Sequence, residues 1–433
     1  MKKIQKTPDL TPEDFKKAMG YIDNPEQISK IFQYNEAYYH WDELKYRVDE
    51  KDLRSTWALM KILRTNTSKR IQVCGLDLSY NLISSFQECL YHIDRDSAGP
   101  VSVENPGERT ARRYVMMSFM EEAIASSQIE GAATTRQEAK RMLRAQRKPR
   151  DNSERMIFNN YEAMEHIKST LDKKMDIELI LGMHRAIAKG TLREGPQWEG
   201  RFREDDRTFV GSPDKEDLIF HIPPKYEQIP GMMEDLCEFI NNEDEFIHPI
   251  VKGIIIHYLI GYIHPFVDGN GRLARSLFYW YAMKRGYWLM EYASISRVIR
   301  KSQTKYGLAY QYSETDDHDL TYFIKFNLKC IETAVDDLRR YIERKVAEQK
   351  NIVKMIESNP ELNMYEMTVL EDYTKDPSPF SIREISNRYP ISYQSARLYV
   401  RHLCELGYVR ALSKNRKTVL YVVTDDIDWK SRL

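Results

Sequence analysis

The chain has 433 residues, and its 65 Lys and Arg balance its 65 Asp and Glu, so the formal net charge is zero. This balance excludes a global field that would draw the protein to nucleic acid or an anionic membrane, so any basic patch must be local. The length predicts two or three domains. The cysteines are too scattered for a metal motif or a disulfide framework and are interpreted mostly as core residues: Cys74, Cys89, Cys237, Cys330 and Cys404.

The sequence gives no sign of a membrane or secretory segment. No apolar run reaches the length of a membrane span, and residues 1–6 lack the hydrophobic core of a signal peptide. We therefore expect a cytoplasmic protein without a membrane partner. Internal repeats and low-complexity tracts are also absent from the sequence.

The first quarter of the chain predicts mainly helices. Residues 97–109 contain Gly-Pro and Pro-Gly pairs, which indicate a linker. We therefore expect residues 1–111 to form an N-terminal helical region. It contains no recognisable chemistry, and whether it serves packing or a partner surface is open.

A long helix is predicted over residues 112–144. Within it Ser126 and Glu130 precede Gly131, and this glycine can end or kink the helix at Glu130. Taken alone, Glu130 is interpreted as a solvated carboxylate near a helix break.

Further helices are predicted at residues 154–171, 177–188, 226–241, 293–302 and 320–357. Between them, residues 192–224 are rich in Gly and Pro, and the runs 207–210 and 218–221 predict a β-hairpin. His184 lies on the apolar face of its predicted helix and is interpreted as a core histidine rather than a ligand.

Residues 264–275 hold the densest chemistry in the chain. They lie between the apolar segments 250–263 and 277–283, which predict a buried helix and the start of the next. Glycines permit a tight turn and close approach of a ligand, and a helix start binds anions. The polar and glycine residues that could together form a phosphate site with a base beside it are His264, Asp268, Gly269, Asn270, Gly271, Arg272 and Arg275.

Each feature alone fits a simple helical corner with a buried histidine and two solvated arginines. Together, however, the residues resemble at every fixed position the signature of the Fic family, His-x-Phe-x-Asp/Glu-Gly-Asn-Gly-Arg-x-x-Arg. The resemblance covers residues 112–330, which we take as the catalytic domain. It implies a mainly α fold, with a Fic-type helical core and a β-hairpin flap.

The resemblance also implies a reaction, the transfer of AMP from ATP to a Ser, Thr or Tyr hydroxyl of a target protein. His264 would act as general base, because a histidine titrates near neutrality and can accept the hydroxyl proton. Asp268 would hold Mg²⁺, which prefers oxygen ligands. The nucleotide phosphates would be bound by Gly269, Asn270, Gly271, Arg272 and Arg275, with Arg272 on the leaving diphosphate and Arg275 on the γ-phosphate.

An inhibitory element is implied by the same resemblance. Ser126, Glu130 and Gly131 match the Fic inhibitory motif Ser/Thr-x-x-x-Glu-Gly/Asn within a helix at about 120–131. A carboxylate paired with Arg275 would misplace ATP, so we expect an autoinhibited enzyme. Some family members with this glutamate also remove AMP, and the sequence leaves that activity open.

The flap would align a target segment by main-chain pairing, which an exposed strand edge can do without reading side chains. The flap residues expected to dock the target are Arg207, Thr208, Phe209 and Val210. The target itself is not identified by such a surface. Self-modification is expected, and the resemblance is compatible with a homodimer.

Residues 376–433 predict a second domain after a helical connector at 331–375. Helices at 381–389 and 392–406 and strands at 408–412 and 418–423 follow the winged helix-turn-helix pattern. From residue 380 onward, 10 Lys and Arg exceed 5 Asp and Glu. DNA could bind through Arg397, Arg401, Lys414, Arg416 and Lys417. The alternative is a winged helix used for protein contact or dimerisation.

Two other functions fit the sequence. A Fic-type enzyme could use another phosphate-containing donor and transfer UMP, phosphocholine or a terminal phosphate. The chain could instead be a DNA-binding regulator whose Fic domain senses a nucleotide.

Overall fold

Helices make up most of the protein, as the sequence predicted. The computed structural model describes residues 4–97, 108–212, 215–358, 361–375, 379–415 and 418–424. The chain divides into two compact units, Met1–Leu338 and Arg339–Leu433. Within the described residues, no helix is both long enough and apolar enough to cross a membrane.

The helices of the first unit are α1 (Pro12–Met19), α2 (Pro25–Glu36), α3 (Trp41–Leu44), α4 (Glu50–Thr67), α5 (Ser84–Ser97), α6 (Glu108–Ile129), α7 (Arg136–Arg144), α8 (Asn152–Ile167), α9 (Ile177–Ala188), α10 (Ile229–Asn241), α11 (Pro249–Ile263), α12 (Asn270–Lys284), α13 (Ile295–Lys301) and α14 (Gln303–Thr315). Helix α15 (Thr321–Ser358) begins in the first unit and ends in the second, which also holds α16 (Met364–Lys375), α17 (Ile382–Arg388) and α18 (Tyr393–Glu405). The strands are β1 (Lys69–Val73), β2 (Leu76–Tyr80), β3 (Val210–Ser212), β4 (Lys215–His221), β5 (Val409–Asn415) and β6 (Thr418–Val423).

Helix α11 lies at the centre of the first unit. Its residues are apolar on every side, from Ile250 to Ile263, and almost all are buried. A helix that is apolar all round must be enclosed by others. Helices α10 and α12 pack against α11, and α12 also contacts α6, α8 and α9. The α11–α12 corner is therefore held on several sides by the core.

The N-terminal helices are part of this same unit. Their own small core surrounds Trp57 of α4. Arg64 of α4 is buried and donates to the Tyr322 hydroxyl of α15 at 2.7 Å, while Lys61 donates to Asp316 at 2.9 Å. Polar links of this kind tie the N-terminal helices to the rest of the unit, so the boundaries expected at 111 and 330 remain predictions.

The long helix predicted at 112–144 is divided in two, and this corrects the prediction. Helix α6 ends at Ile129, Gly131 has a left-handed φ of +93°, and α7 begins at Arg136. The Thr135 hydroxyl accepts the N–H of Glu138 and caps α7. Glu130 therefore lies where α6 ends.

Two further elements were not predicted. The β1–β2 hairpin turns at Cys74 and Gly75, both with positive φ, a turn for which Cys is an unusual residue. Helix α14 was missed because its polar, Tyr and Gly residues show little amphipathic periodicity. It lines the candidate site.

The described part of the second unit contains two capped helices followed by a hairpin. Ser381 caps α17 through the N–H of Glu384, and Ser392 caps α18 through the N–H of Ser395. Strands β5 and β6 pair antiparallel, and Phe380 bridges to Tyr421. The order of elements matches the prediction, whereas assignment as a winged helix remains a prediction.

Four histidines, three of them buried and His264 partly buried, predict an acid-sensitive fold. Burial lowers the pKa of His40, His184 and His264 to about 4 and that of His257 to about 3, from an ordinary 6.5. Unfolding lets these rings take up protons. The free energy of unfolding should therefore be highest above pH 6.5 and fall as the pH decreases from 6.5 to about 4. Urea unfolding at about pH 7.5 and about pH 5.5 measures this loss, with about 1.4 kcal/mol expected per histidine.

His257→Gln should reduce the difference between the two pH values by about that amount, because one proton uptake is removed. His166→Gln, at an exposed position, is the matched control. An unchanged pH dependence in His257→Gln would contradict the assignment.

Candidate active site

The loop between α11 and α12 is built on two left-handed residues. His264 has φ +49° and ends α11, while Gly269 has φ +88° and begins α12. A non-glycine residue in this region is strained and must be held by its surroundings. No side chain within the described part of the chain caps α12, so its first-turn N–H groups face the loop without such a partner.

Asn270 holds the loop from inside. Its Oδ1 accepts the N–H of Phe266 at 2.9 Å, and its Nδ2 donates to the Phe266 carbonyl at 2.8 Å. The side chain is buried and both of its polar atoms hold the loop, while Nδ2 keeps a second N–H, so its role in binding a phosphate stays a prediction. The N–H of Gly269 is also engaged, by Asp268 Oδ1 at 2.6 Å.

His184 supports the loop from α9. Its ring stacks on Phe266 with centroids 3.7 Å apart, and its Nδ1 accepts the N–H of Gly200 at 3.0 Å. Nε2 must then carry the proton, which it donates to the Asp268 carbonyl at 2.8 Å. Burial, which keeps its pKa near 4, maintains this neutral form. His184 is a core histidine as predicted, and it also positions Asp268.

Arg203 is a second support that the sequence analysis did not assign. Its side chain is buried, its Nε donates to the His264 carbonyl at 3.0 Å, and its backbone N–H donates to Pro265 at 2.9 Å. Its Nη2 donates to the carbonyl of Pro224. Arg203 lies 61 residues before His264, so no local sequence pattern indicates this contact.

His264 is oriented to accept a proton. Its Nδ1 lies 3.1 Å from the Gly261 carbonyl, which can only accept, so Nδ1 carries the proton and Nε2 keeps its lone pair. Burial, which lowers its pKa to about 4, keeps the ring neutral at pH 7. The ring lines a cavity of about 610 Å³, whose wall includes Glu130, His221, Gly271, Tyr306 and Tyr310.

Two guanidinium groups are buried beside this cavity. Arg272 donates Nη1 to the Ile187 carbonyl at 3.1 Å, but its Nε and Nη2 have no hydrogen-bond partner among the described residues. Arg275 Nη1 also has no hydrogen-bond partner among the described residues. Burial lowers the pKa of Arg272. Unpaired buried donors are costly, and an anion that accepted them would offset that cost.

Glu130 and Ser126 both accept hydrogen bonds from Arg275. Glu130 Oε1 accepts from Arg275 Nη2 at 2.9 Å, and Ser126 accepts through Oγ at 2.9 Å and through its carbonyl at 3.1 Å. Burial opposes the charge of Arg275, but Glu130, Tyr306 and Glu122 together outweigh it and the pKa of Arg275 is raised. A Cβ on Gly271 would lie 2.2 Å from Glu130 Oε1, so any other residue here would force the carboxylate to shift. Gly131 is the turn residue that follows.

Asp268 is the residue placed to hold a cation. Its side chain is 48% exposed, and Oδ2 lies 3.9 Å from Arg272 Nη2. No group of three or more His, Cys, Asp or Glu suited to a metal occurs among the described residues. A single carboxylate fits Mg²⁺, which commonly binds through one or two carboxylates together with water and substrate phosphates.

Residues 174–282 match the sequence profile of the Fic/DOC family. The chain contains a Fic domain. A protein adenylyltransferase Fic from Nematostella vectensis is 27% identical over 258 residues, which are 58% of this chain and 55% of the relative. The Drosophila melanogaster protein of that name is 29% identical over 177 residues, which are 40% of this chain and 32% of the relative. The chain thus matches about half or less of these relatives' length.

Solved structures show the same fold. A Fic family protein from Desulfovibrio desulfuricans G20 superposes with a TM-score of 0.51 at 20% identity, over 82% of this chain and 99% of that one. Fic-1 from C. elegans gives a TM-score of 0.52 at 17% identity, over 78% and 90% of the two chains.

The β3–β4 hairpin, which we predicted to be the flap, differs from the prediction at its first strand. Strand β3 covers only Val210–Ser212 and pairs irregularly with β4. Arg207, Thr208 and Phe209 precede the strand, because Arg207 bonds back to Asp205 through its N–H at 3.0 Å and its Nε at 2.9 Å. Of the four predicted docking residues, only Val210 lies in the strand and lines the cavity.

The end of the flap is anchored beside the Fic motif. His221 of β4 contacts the Tyr262 carbonyl through Nε2 at 2.7 Å and Glu314 of α14 through Nδ1 at 2.8 Å. The sequence offered no signal for this contact, because α14 was not predicted.

The predicted DNA-binding residues are only partly described. Arg397 and Arg401 are both exposed on α18, and Arg401 donates to Glu405 at 3.0 Å. Lys414 lies in β5. Arg416 and Lys417 fall outside the described residues.

His184→Phe tests the support of the Fic loop. The substitution keeps an aromatic ring to stack on Phe266 but removes both hydrogen bonds. We expect a loss of about 1–3 kcal/mol in stability, because buried groups lose their partners. We also expect weaker binding of MgATP, since Asp268 loses its restraint. Thermal unfolding and calorimetric titration measure the two effects.

The matched control is His166→Phe, at an exposed position of α8, which should change neither quantity. If His184→Phe bound ATP as tightly as wild type, His184 would serve only in packing and would not position Asp268 for the nucleotide.

Proposed function

We propose that the chain is a protein adenylyltransferase that transfers AMP from ATP to a Ser, Thr or Tyr hydroxyl of a target protein and is restrained by Glu130. The observation that supports it best is the convergence on one site of a neutral His264 and the unpaired donors of Arg272 and Arg275. The curated relatives named as adenylyltransferases support it independently.

In the proposed reaction, the hydroxyl oxygen of the target attacks the α-phosphorus of ATP. The bond from that phosphorus to the oxygen bridging to the β-phosphate breaks, and diphosphate leaves. His264 Nε2 takes the hydroxyl proton, a role typically worth about 10²–10⁴ in rate. The Gly261 carbonyl holds Nδ1–H and so keeps Nε2 directed to the reaction.

The phosphates would lie at the start of α12. The free donors of Arg272 would bind the leaving diphosphate, and Arg275 would bind the γ-phosphate. Mg²⁺, when bound by Asp268, would supply charge neutralisation at the phosphates. The N-terminal dipole of α12 adds to the attraction for phosphate.

Glu130 restrains the enzyme because it takes the donor that the γ-phosphate needs. Its carboxylate lies on Arg275 and against Gly271, at the start of α12. ATP that binds without Arg275 would have its α-phosphate misplaced, and a misplacement of ~1 Å can cost on the order of 10²-fold in rate. The same carboxylate could hold a water for removal of AMP, which forms part of the proposal.

Transfer of label from ATP carrying it in the α-phosphate tests the reaction. With Mg²⁺, Glu130→Gly should label protein on the order of 10²-fold faster than wild type, because Arg275 is released. His264→Ala and the double variant should not label protein, since no base remains. Glu138→Gly, at a half-buried position of α7 that pairs with Arg141 instead of Arg275, is the matched control and should behave as wild type.

Equal rates in wild type and Glu130→Gly would refute the restraint. Labelled protein returned to wild type shows whether AMP is removed. Thermal shift with ATP, UTP, GTP and CDP-choline identifies the donor, and stronger stabilisation by any donor other than ATP would overturn the AMP assignment.

DNA binding is a second candidate, supported by the exposed Arg397 of α18 in a basic C-terminal segment. We expect the full chain to bind duplex DNA at low salt, with affinity falling steeply as salt rises. Arg397→Glu should weaken binding and lower the salt slope by about one, whereas Lys174→Glu should not. Fluorescence anisotropy measures both, and absence of binding at low salt would reject this candidate.

A further inference from the structure

Helices α6 and α12 contact one another through two matched stripes. The members of each stripe lie four residues apart, and the helices run antiparallel, so each turn of one meets one turn of the other. One stripe is Glu122 and Ser126 on α6 with Glu130 just after its end, and the other is Tyr279, Arg275 and Gly271 on α12. The first pair, Glu122 and Tyr279, lies two turns from the cavity. It has no part in the proposed reaction.

Glu122 is fully engaged by this first contact and its neighbours. It is buried and accepts from the Tyr279 hydroxyl at 2.8 Å, the Ser294 hydroxyl at 3.1 Å and the Ser296 N–H at 3.0 Å. The Ser296 hydroxyl also donates to it. Burial, together with Glu122, raises the pKa of Tyr279, so its hydroxyl keeps the proton that it donates.

The Glu122 carboxylate joins three helices. It lies on α6, binds Tyr279 of α12 and takes the first-turn N–H of α13 at Ser296. A carboxylate with donors from two other helices fixes both the rotation and the translation of the helix that carries it. Glu122 lies about 12 Å along the helix axis from Glu130.

Glu130 depends on that register. Its side chain is 25% exposed, and the residue follows the last turn of α6. A shift by one residue moves a helix position by about 1.5 Å and about 100°, which would take Glu130 away from Arg275. A loosened α6 therefore releases Arg275 even though Glu130 itself is intact.

We propose that Glu122 is a positioning residue that holds α6 in the register in which Glu130 occupies Arg275. The strength of the restraint is then set at Glu122 as well as at Glu130. This inference rests on the proposed function, in which Glu130 restrains AMP transfer.

A double-mutant cycle in the full chain tests it. Transfer from α-labelled ATP is measured for wild type, Glu122→Gln, Glu130→Gly and the double variant. Glu122→Gln should raise the rate about three- to tenfold in the wild-type chain, because its hydrogen bonds to neutral donors are weakened. It should leave the Glu130→Gly rate unchanged, since the effect passes through Glu130.

Hydrogen exchange of residues 126–131 gives a readout that does not depend on activity. Exchange should be faster in Glu122→Gln than in wild type. Tyr279→Phe removes one donor to Glu122 and should act in the same direction should Glu122→Gln fail to fold. Glu121→Gln is the matched control, because that neighbour pairs with Arg136 instead.

The outcomes separate the two claims. Unchanged exchange and unchanged transfer in Glu122→Gln, with activation in Glu130→Gly, would overturn the role of Glu122. An equal rise in both backgrounds would also overturn it, because Glu122 would act without Glu130. A Glu130→Gly variant without activation would refute the restraint, and the exchange data would then decide alone whether Glu122 positions α6.

Discussion

Burial of two guanidinium groups in the first two turns of α12 is the constraint on which this site depends. A buried charge is costly unless it is paired, and removal of its partner leaves that cost uncompensated. Arg272 has one carbonyl partner and a distant carboxylate, and Arg275 has Ser126 and Glu130. The site therefore attracts negative charge before any ligand arrives, and Glu130 supplies part of it. Under the proposed function, the restraint and the affinity for phosphate would have one electrostatic origin.

The loop around these arginines is held through its carbonyl oxygens. Side chains from separate parts of the chain take them: Arg203 binds the carbonyl of His264, Asn270 that of Phe266 and His184 that of Asp268. With these acceptors engaged, the start of α12 presents N–H groups rather than carbonyl oxygens. A rigid arrangement of this kind costs little reorganisation when charge develops in a reaction.

Local patterns predicted the local parts of this structure. The mainly α fold, the α11–α12 corner and the glycine turn follow from apolar periodicity and from residues adjacent in sequence. The break after Glu130 was foreseen through Gly131, although α7 was not separated. Long-range partners were out of reach: Arg203 lies 61 residues from His264, and Glu122 lies 157 from Tyr279. The contacts by which Asn270 holds the loop were also out of reach, since spacing does not show which way a side chain turns.

A restraint carried on a helix differs physically from one carried on a loop. A loop can withdraw one side chain alone, whereas a helix couples every contact along its length. Helix α6 is bound to α13 through Glu122, and its last carbonyl, that of Ile129, accepts from Gln303 of α14 at 3.0 Å. Gln303 also lines the cavity. The end of α6, next to Glu130, is therefore bonded to the wall of the cavity, so under the proposed restraint a displacement of α14 would be expected to reach Glu130.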